Sequence, residues 1–214
     1  MKELTVDMNQ RQVRLVQAEG QPAPSFILFN SSGLVYGVFP IEKQLTASLI
    51  AFKNPVARAS AYVNLYENML NGRGLAPRQL LDVYRQALTQ EPEELNLKLL
   101  TGQTTDIYWK FLKPQERTAL APILEKELWQ AMQQNPAPNA KKLLFKANQS
   151  VALTKMAQNQ LYQVWSKEQA PTGVKLTEED YTSLALALAV RDYAAEPPIL
   201  EKQLNRIQNT DRKK

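Results

Sequence analysis

Pro55-Val56-Ala57-Arg58-Ala59-Ser60-Ala61-Tyr62-Val63-Asn64-Leu65-Tyr66-Glu67-Asn68-Met69-Leu70-Asn71-Gly72 opens on proline, closes on Asn-Gly, and repeats apolar residues every three or four positions between. Proline suits the first position of a helix, where its missing N–H would have no partner anyway. Val56, Ala59, Val63, Tyr66 and Leu70 then share one face, and Asn71-Gly72 ends the helix. The same grammar recurs downstream. Pro77 predicts a helix with Leu80, Tyr84, Ala87 and Leu88 inward. Pro92 opens a longer one carrying Leu100, Ile107, Tyr108 and Phe111, weakened at Gly102. Pro114 starts another with Leu120, Leu124, Leu128 and Met132 in register, which Pro122 should kink or split.

Ile41 to Phe52 reads as a further helix ahead of these. Ala140 to Ala152 bears Leu144, Ala147 and Val151, and Thr154 caps a helix holding Ala157, Leu161, Val164 and Trp165. Thr177-Glu178-Glu179-Asp180 caps the next, with Tyr181, Leu184 and Leu188 inside. Pro197-Pro198 begins a last helix with Leu200, Leu204 and Ile207. About nine helices on short links predict antiparallel pairs stacked as a HEAT-like α-solenoid or an irregular helical bundle. No fixed period marks an armadillo or tetratricopeptide array.

Residues 1–39 read differently. Leu4, Val6 and Met8 alternate with polar residues, as do Val13 and Leu15, which argues for half-buried strands. Phe26 to Phe29 and Leu34 to Phe39 flank the turn Asn30-Ser31-Ser32-Gly33 and read as a hairpin. Four short strands cannot bury both faces alone, so they are expected to be the edge of a larger sheet. The expected division is short β-strands over 1–39 and a helical domain over 40–214.

The chain of 214 residues has no histidine and no cysteine. Imidazole triads, thiol nucleophiles and disulfides are therefore excluded, and a zinc site would have to be all-carboxylate. A net charge of +5 is mild, and the basic residues do not form a stripe interleaved with aromatics. Lys141, Lys142 and Lys146 make one small cluster and Arg212, Lys213 and Lys214 a tail, read as solvated surface and not as a nucleic-acid site. The longest apolar run, Leu184 to Val190, falls far short of the roughly 20 residues that cross a bilayer.

Other groups have an ordinary reading beside the functional one. Tyr108, Trp109 and Phe111, like Trp129, Trp165, Tyr62 and Tyr66, are assigned to core packing and not to ligand stacking. Glu91, Glu93 and Glu94, and likewise Glu178, Glu179 and Asp180, are assigned to helix first turns and not to acid–base pairs. Gly72-Arg73-Gly74 could offer N–H groups to an anion, but without a preceding strand it reads as a turn. No catalytic, cofactor-binding or metal residue is assigned.

Ile27-Leu28-Phe29-Asn30-Ser31-Ser32-Gly33-Leu34-Val35-Tyr36-Gly37-Val38-Phe39 resembles the strand pair that closes the small β-sandwich domain of aminopeptidase N-like zinc metallopeptidases. Arg58 to Asn68 is similar to an early helix of that family's C-terminal helical domain, and Ile207 to Arg212 to a segment deeper inside it. Phe29 departs from the family, where many members carry proline. The resemblance implies a non-catalytic C-terminal part of a larger enzyme that removes N-terminal residues from peptides. Zinc, the H-E-x-x-H helix and the catalytic tyrosine would lie in an earlier domain. The implied partners are the remaining domains of the same polypeptide, with peptides as substrates of the whole enzyme. Compartment stays open, with bacterial cytoplasm and periplasm both compatible. An independent α-solenoid adaptor is the alternative expectation.

Overall fold

The computed structural model describes residues 3–194 and 198–208, with the backbone alone at Lys43 and Gln44. Nine α-helices fill the described residues after position 42: α1 Lys43–Ser48, α2 Pro55–Leu70, α3 Pro77–Leu88, α4 Glu94–Asp106, α5 Pro114–Gln134, α6 Pro138–Val151, α7 Lys155–Lys167, α8 Glu178–Ala189 and α9 Ile199–Arg206. A π-helical turn, Ile107–Phe111, continues α4. The molecule is mainly α, as expected.

Helix starts follow the sequence grammar. Proline occupies the first turn of α2, α3, α5 and α6. Asn54 caps α2 by accepting from the amides of Val56 and Ala57. Thr154 Oγ accepts from Ala157 N at the start of α7. Thr177 and Asp180 form a reciprocal capping box on α8. Pro122 does not split α5, which runs unbroken through it. Proline removes one internal donor, and the buried leucines on either side hold the helix together across that gap.

Packing joins alternate as well as sequential helices. α2 packs on α4, α4 on α6, and α6 on α8, while α3 packs on α5. Sequential neighbours close the layers, notably α5 on α6, α3 on α4, α7 on α8 and α8 on α9. Leu80, Leu100, Leu124, Leu144, Leu161 and Leu184 are all fully buried, so each of α3 to α8 contributes to one continuous core.

Three sequence expectations fail here. No strand forms among the described residues of 1–39; one 3-10 turn, Val16–Ala18, is the regular structure there. An alternating segment becomes a strand only with a partner edge, and none of the helices supplies one. Ile41 to Phe52 forms six residues of α-helix and a 3-10 turn, Leu49–Ala51, not one long helix.

The third failure concerns which face is buried. In α2, Val56, Val63 and Leu70 are 51%, 41% and 44% exposed, whereas Ala57, Ala61, Leu65 and Met69 are buried. The helix carries two apolar stripes, and the one beside Arg58, Asn64 and Asn68 turns inward because those polar groups find partners there. In α9, Leu200 and Leu204 are half exposed while Ile199 and Gln203 face in. Gln203 accepts from Trp165 Nε1 and donates to Thr182 Oγ1, which sets the helix's rotation.

The face assignment in α2 is testable by paired truncation. Leu65→Ala is expected to cost about 2–5 kcal/mol because it opens a cavity. Val63→Ala, on the outer stripe, is expected to stay within about 0.5 kcal/mol. Urea unfolding measures both, and equal costs would contradict the assignment.

Candidate functional site

Polar chemistry concentrates on α2. Arg58 is 5% exposed and meets Glu91, whose carboxylate is wholly buried in the link between α3 and α4. Arg58 Nη2 donates to Glu91 Oε1 at 2.7 Å and Nε to Oε2 at 3.0 Å, a two-pronged pair. Tyr62 Oη donates to Glu91 Oε2 at 2.8 Å and the Glu93 amide to Oε1 at 3.0 Å. Arg58 Nη1 also donates to the carbonyl of Phe52 at 2.5 Å. Burial alone would raise the Glu91 carboxyl, but Arg58, Tyr62 and the Glu93 amide outweigh it and hold the group below its ordinary range. Burial and the Glu91 charge push the Tyr62 hydroxyl well above its ordinary value, so it stays a donor.

One turn further round α2 lies a second polar set. Ser60, Asn64 and Asn68 stand four residues apart, which places them one above another on a helix. Ser60 Oγ donates to the carbonyl of Asn30 at 2.5 Å, Asn64 Nδ2 to that of Phe29 at 3.3 Å, and Asn68 Nδ2 to that of Phe39 at 2.7 Å. Asn30 sits at φ +53°, and its side chain closes a turn by bonding both N–H and carbonyl of Val35. The arm, residues 26–39, therefore lies along α2, fastened by its main chain and by Phe26 and Leu28, which pack against the core. Its side chains past the turn are left over: Leu34, Val35 and Tyr36 are 83%, 61% and 104% exposed.

Further buried charges act as fasteners between helices. Glu125 of α5 accepts from the amides of Leu153 and Thr154 and from Thr154 Oγ, holding the start of α7. Asp180 of α8 pairs with Lys142 at 2.6 Å and Lys146 at 2.7 Å on α6. Burial works against its charge, and the two lysines keep its pKa well below the usual carboxylate range.

The sequence candidates distribute as follows. Trp165, Tyr62 and Tyr108 are fully buried, and Tyr66 and Trp129 are half-buried, as core packing requires. Trp109 and Phe111 depart from that reading at 37% and 39% exposure, because the wider π turn rotates them out of the core. Glu94 does sit in a helix first turn, but Glu91 is the buried hub just described and not a solvent-side cap. Lys142 and Lys146 are not free solvated charges, since they bind Asp180. Gly72-Arg73-Gly74 ends α2, with the Arg73 amide given to the carbonyl of Asn68. Arg212, Lys213 and Lys214 lie outside the described residues, as does Asn209 to Arg212 of the last quoted segment.

What the sequence reading missed are the Arg58–Glu91 pair and the Ser60/Asn64/Asn68 ladder. The second carried a signal, a polar stripe at spacing four on an otherwise apolar helix. A small cavity of about 20 Å³, room for a water molecule, lies beside that ladder, lined by Ile41, Leu65, Asn68 and Leu75. Its amide donor Asn68 already serves Phe39 and Asn64, so the cavity presents no reaction centre. No helix among the described residues is long and apolar enough to cross a membrane.

No family model matches the chain, and no curated protein or solved structure is similar to it.

The hub makes a sharp energetic forecast. Arg58→Met leaves a buried carboxylate unpaired and should cost about 3–5 kcal/mol in urea unfolding. Adding Glu91→Leu should restore much of that loss, and simple additivity would contradict the coupling. A carboxyl with a depressed folded pKa stabilises above its ordinary value, here 4.5, and loses that contribution as pH falls through it toward the folded value. Wild-type stability should therefore drop below pH about 4.5 more steeply than that of the double variant.

Proposed function

We propose that this chain is a non-catalytic helical segment of a larger zinc-dependent aminopeptidase, forming part of the wall that encloses its peptide-binding cavity. The observation that carries the reading is the arm: Leu34, Val35 and Tyr36 are three consecutive apolar residues in solvent on a backbone fastened to α2. An apolar run of this kind, seated on a helix but unpaired, suits the edge of a sheet contributed by another unit. Residues 1–39 would supply strands to that sheet, and 40–214 would stack as a HEAT-like solenoid. The contacts α2–α4, α4–α6, α6–α8 and α3–α5 favour such stacking, because a solenoid brings alternate helices together.

In this reading the chain does no chemistry. In the proposed parent, zinc held by a separate domain would supply the chemistry of peptide hydrolysis. The helices supply a stiff surface that limits which peptides reach it. The resemblance of Ile27 to Phe39 and of Arg58 to Asn68 to aminopeptidase N-like enzymes selects this parent over other two-part enzymes. An independent α-solenoid adaptor would have no use for an unpaired strand-like arm, which counts against that reading.

Reading the genomic frame through Met1 tests the proposal. The expected result is coding sequence that continues upstream into an H-E-x-x-H helix with a downstream glutamate. A start signal at Met1 with a stop codon ahead of it supports the adaptor and contradicts the proposal. The purified chain should also fail to cleave aminoacyl reporter substrates with added zinc, and zinc-dependent turnover would overturn it.

A further inference from the structure

The π turn carries Trp109 to the surface, where its Nε1 donates to the carbonyl of Ser150 near the end of α6 at 2.9 Å. Two guanidinium groups share this one indole. Arg117, from the first turns of α5, has its Cζ 5.2 Å from the ring centroid, and Arg191, just past α8, has its Cζ at 5.7 Å. Both contacts are within cation–π range, so the one indole holds both guanidinium groups. Neither arginine has a carboxylate at ion-pair distance among the described residues. Glu125, whose field reaches Arg191, is committed to Leu153 and Thr154. Asp106, at the end of α4, is paired with Lys110 and Tyr66.

Donors remain on both groups. Arg117 spends Nη1 on the carbonyls of Trp109 and Leu112, leaving Nε and Nη2 without a protein acceptor among the described residues. Arg191 gives one bond from each nitrogen, to the carbonyls of Ala152, Ala187 and Ser150, which leaves a second hydrogen on Nη1 and Nη2. Carbonyl dipoles orient these side chains but do not neutralise them. Burial pulls the Arg191 pKa down, as expected for a cation drawn from water without a counter-charge in contact.

We propose that Arg117 and Arg191, gathered on Trp109, form a binding site for an oxyanion, a carboxylate or phosphate group carried by a ligand from solution. Planar guanidiniums with free N–H groups match both oxyanions, and an anion there would supply the counter-charge that neither cation has in contact among the described residues. This site is independent of the function proposed above.

Isothermal titration at low ionic strength tests it, using the whole chain with sodium phosphate, with sodium acetate, and with a short peptide in free-acid and amidated forms. Saturable binding is expected for phosphate or for the free acids, weakened at least tenfold in Arg117→Gln and reduced by added chloride. Binding of the free-acid peptide but not its amide identifies a carboxylate ligand; binding of phosphate alone identifies a phosphate. Arg117 also anchors the π turn, so Arg117→Lys is measured alongside. It keeps the charge but loses the fork, and should bind several-fold more weakly while preserving the helical circular-dichroism spectrum. Absence of saturable heat with every probe, or wild-type affinity in both variants, overturns the proposal.

Discussion

Three carbonyl oxygens of a segment without a sheet, those of Phe29, Asn30 and Phe39, find their donors on one face of α2. Main-chain carbonyls out of water demand partners, and strands normally supply them to each other. Here Ser60, Asn64 and Asn68 do so instead, and their spacing of four turns a helix face into a row of donors. The remaining features of the N-terminal region follow. The arm is held by its backbone and by the packing of Phe26 and Leu28, its turn closes at Asn30, and its side chains at Leu34, Val35 and Tyr36 are left facing solvent.

The same helix is fixed from its other side. Arg58 and Tyr62 reach the buried Glu91 carboxylate, which also receives the Glu93 amide just ahead of α4. One acid thus joins α2 to the start of α4. The pattern recurs further along: Glu125 fastens α5 to α7, and Asp180 fastens α8 to α6. Apolar burial supplies most of the driving force, while these charges select which faces meet, since a wrong rotation would strand a charge away from water. Removing one partner of such a pair is therefore far more costly than the pair is stabilising.

Most of the helical part was legible in the sequence, because proline at a first helical position and threonine at a cap act locally. Pro55, Pro77, Pro114, Thr154 and Thr177 mark real starts for that reason. Helix faces were legible where one apolar stripe dominates, as in α5 with Leu120, Leu124, Leu128 and Met132. They were not where two stripes compete. In α2 the choice rests on Arg58 meeting Glu91, 33 residues away, and no local periodicity contains that distance. In α9 it rests on Gln203 between Trp165 and Thr182. Residues 1–39 have the alternation of strands, but strand formation depends on an edge that this chain's helices do not offer. The Arg117–Trp109–Arg191 group was hidden for a related reason: a π turn is not written in apolar spacing.

The account stands most directly on the ladder along α2, and chymotryptic cleavage of the arm measures it. Phe29 and Tyr36 are the expected cut sites. In the double variant Asn64→Ala/Asn68→Ala, cleavage between residues 26 and 39 should accelerate severalfold while the helical circular-dichroism signal is retained. Unchanged cleavage with the helices intact would show that the arm is held by something other than these side chains.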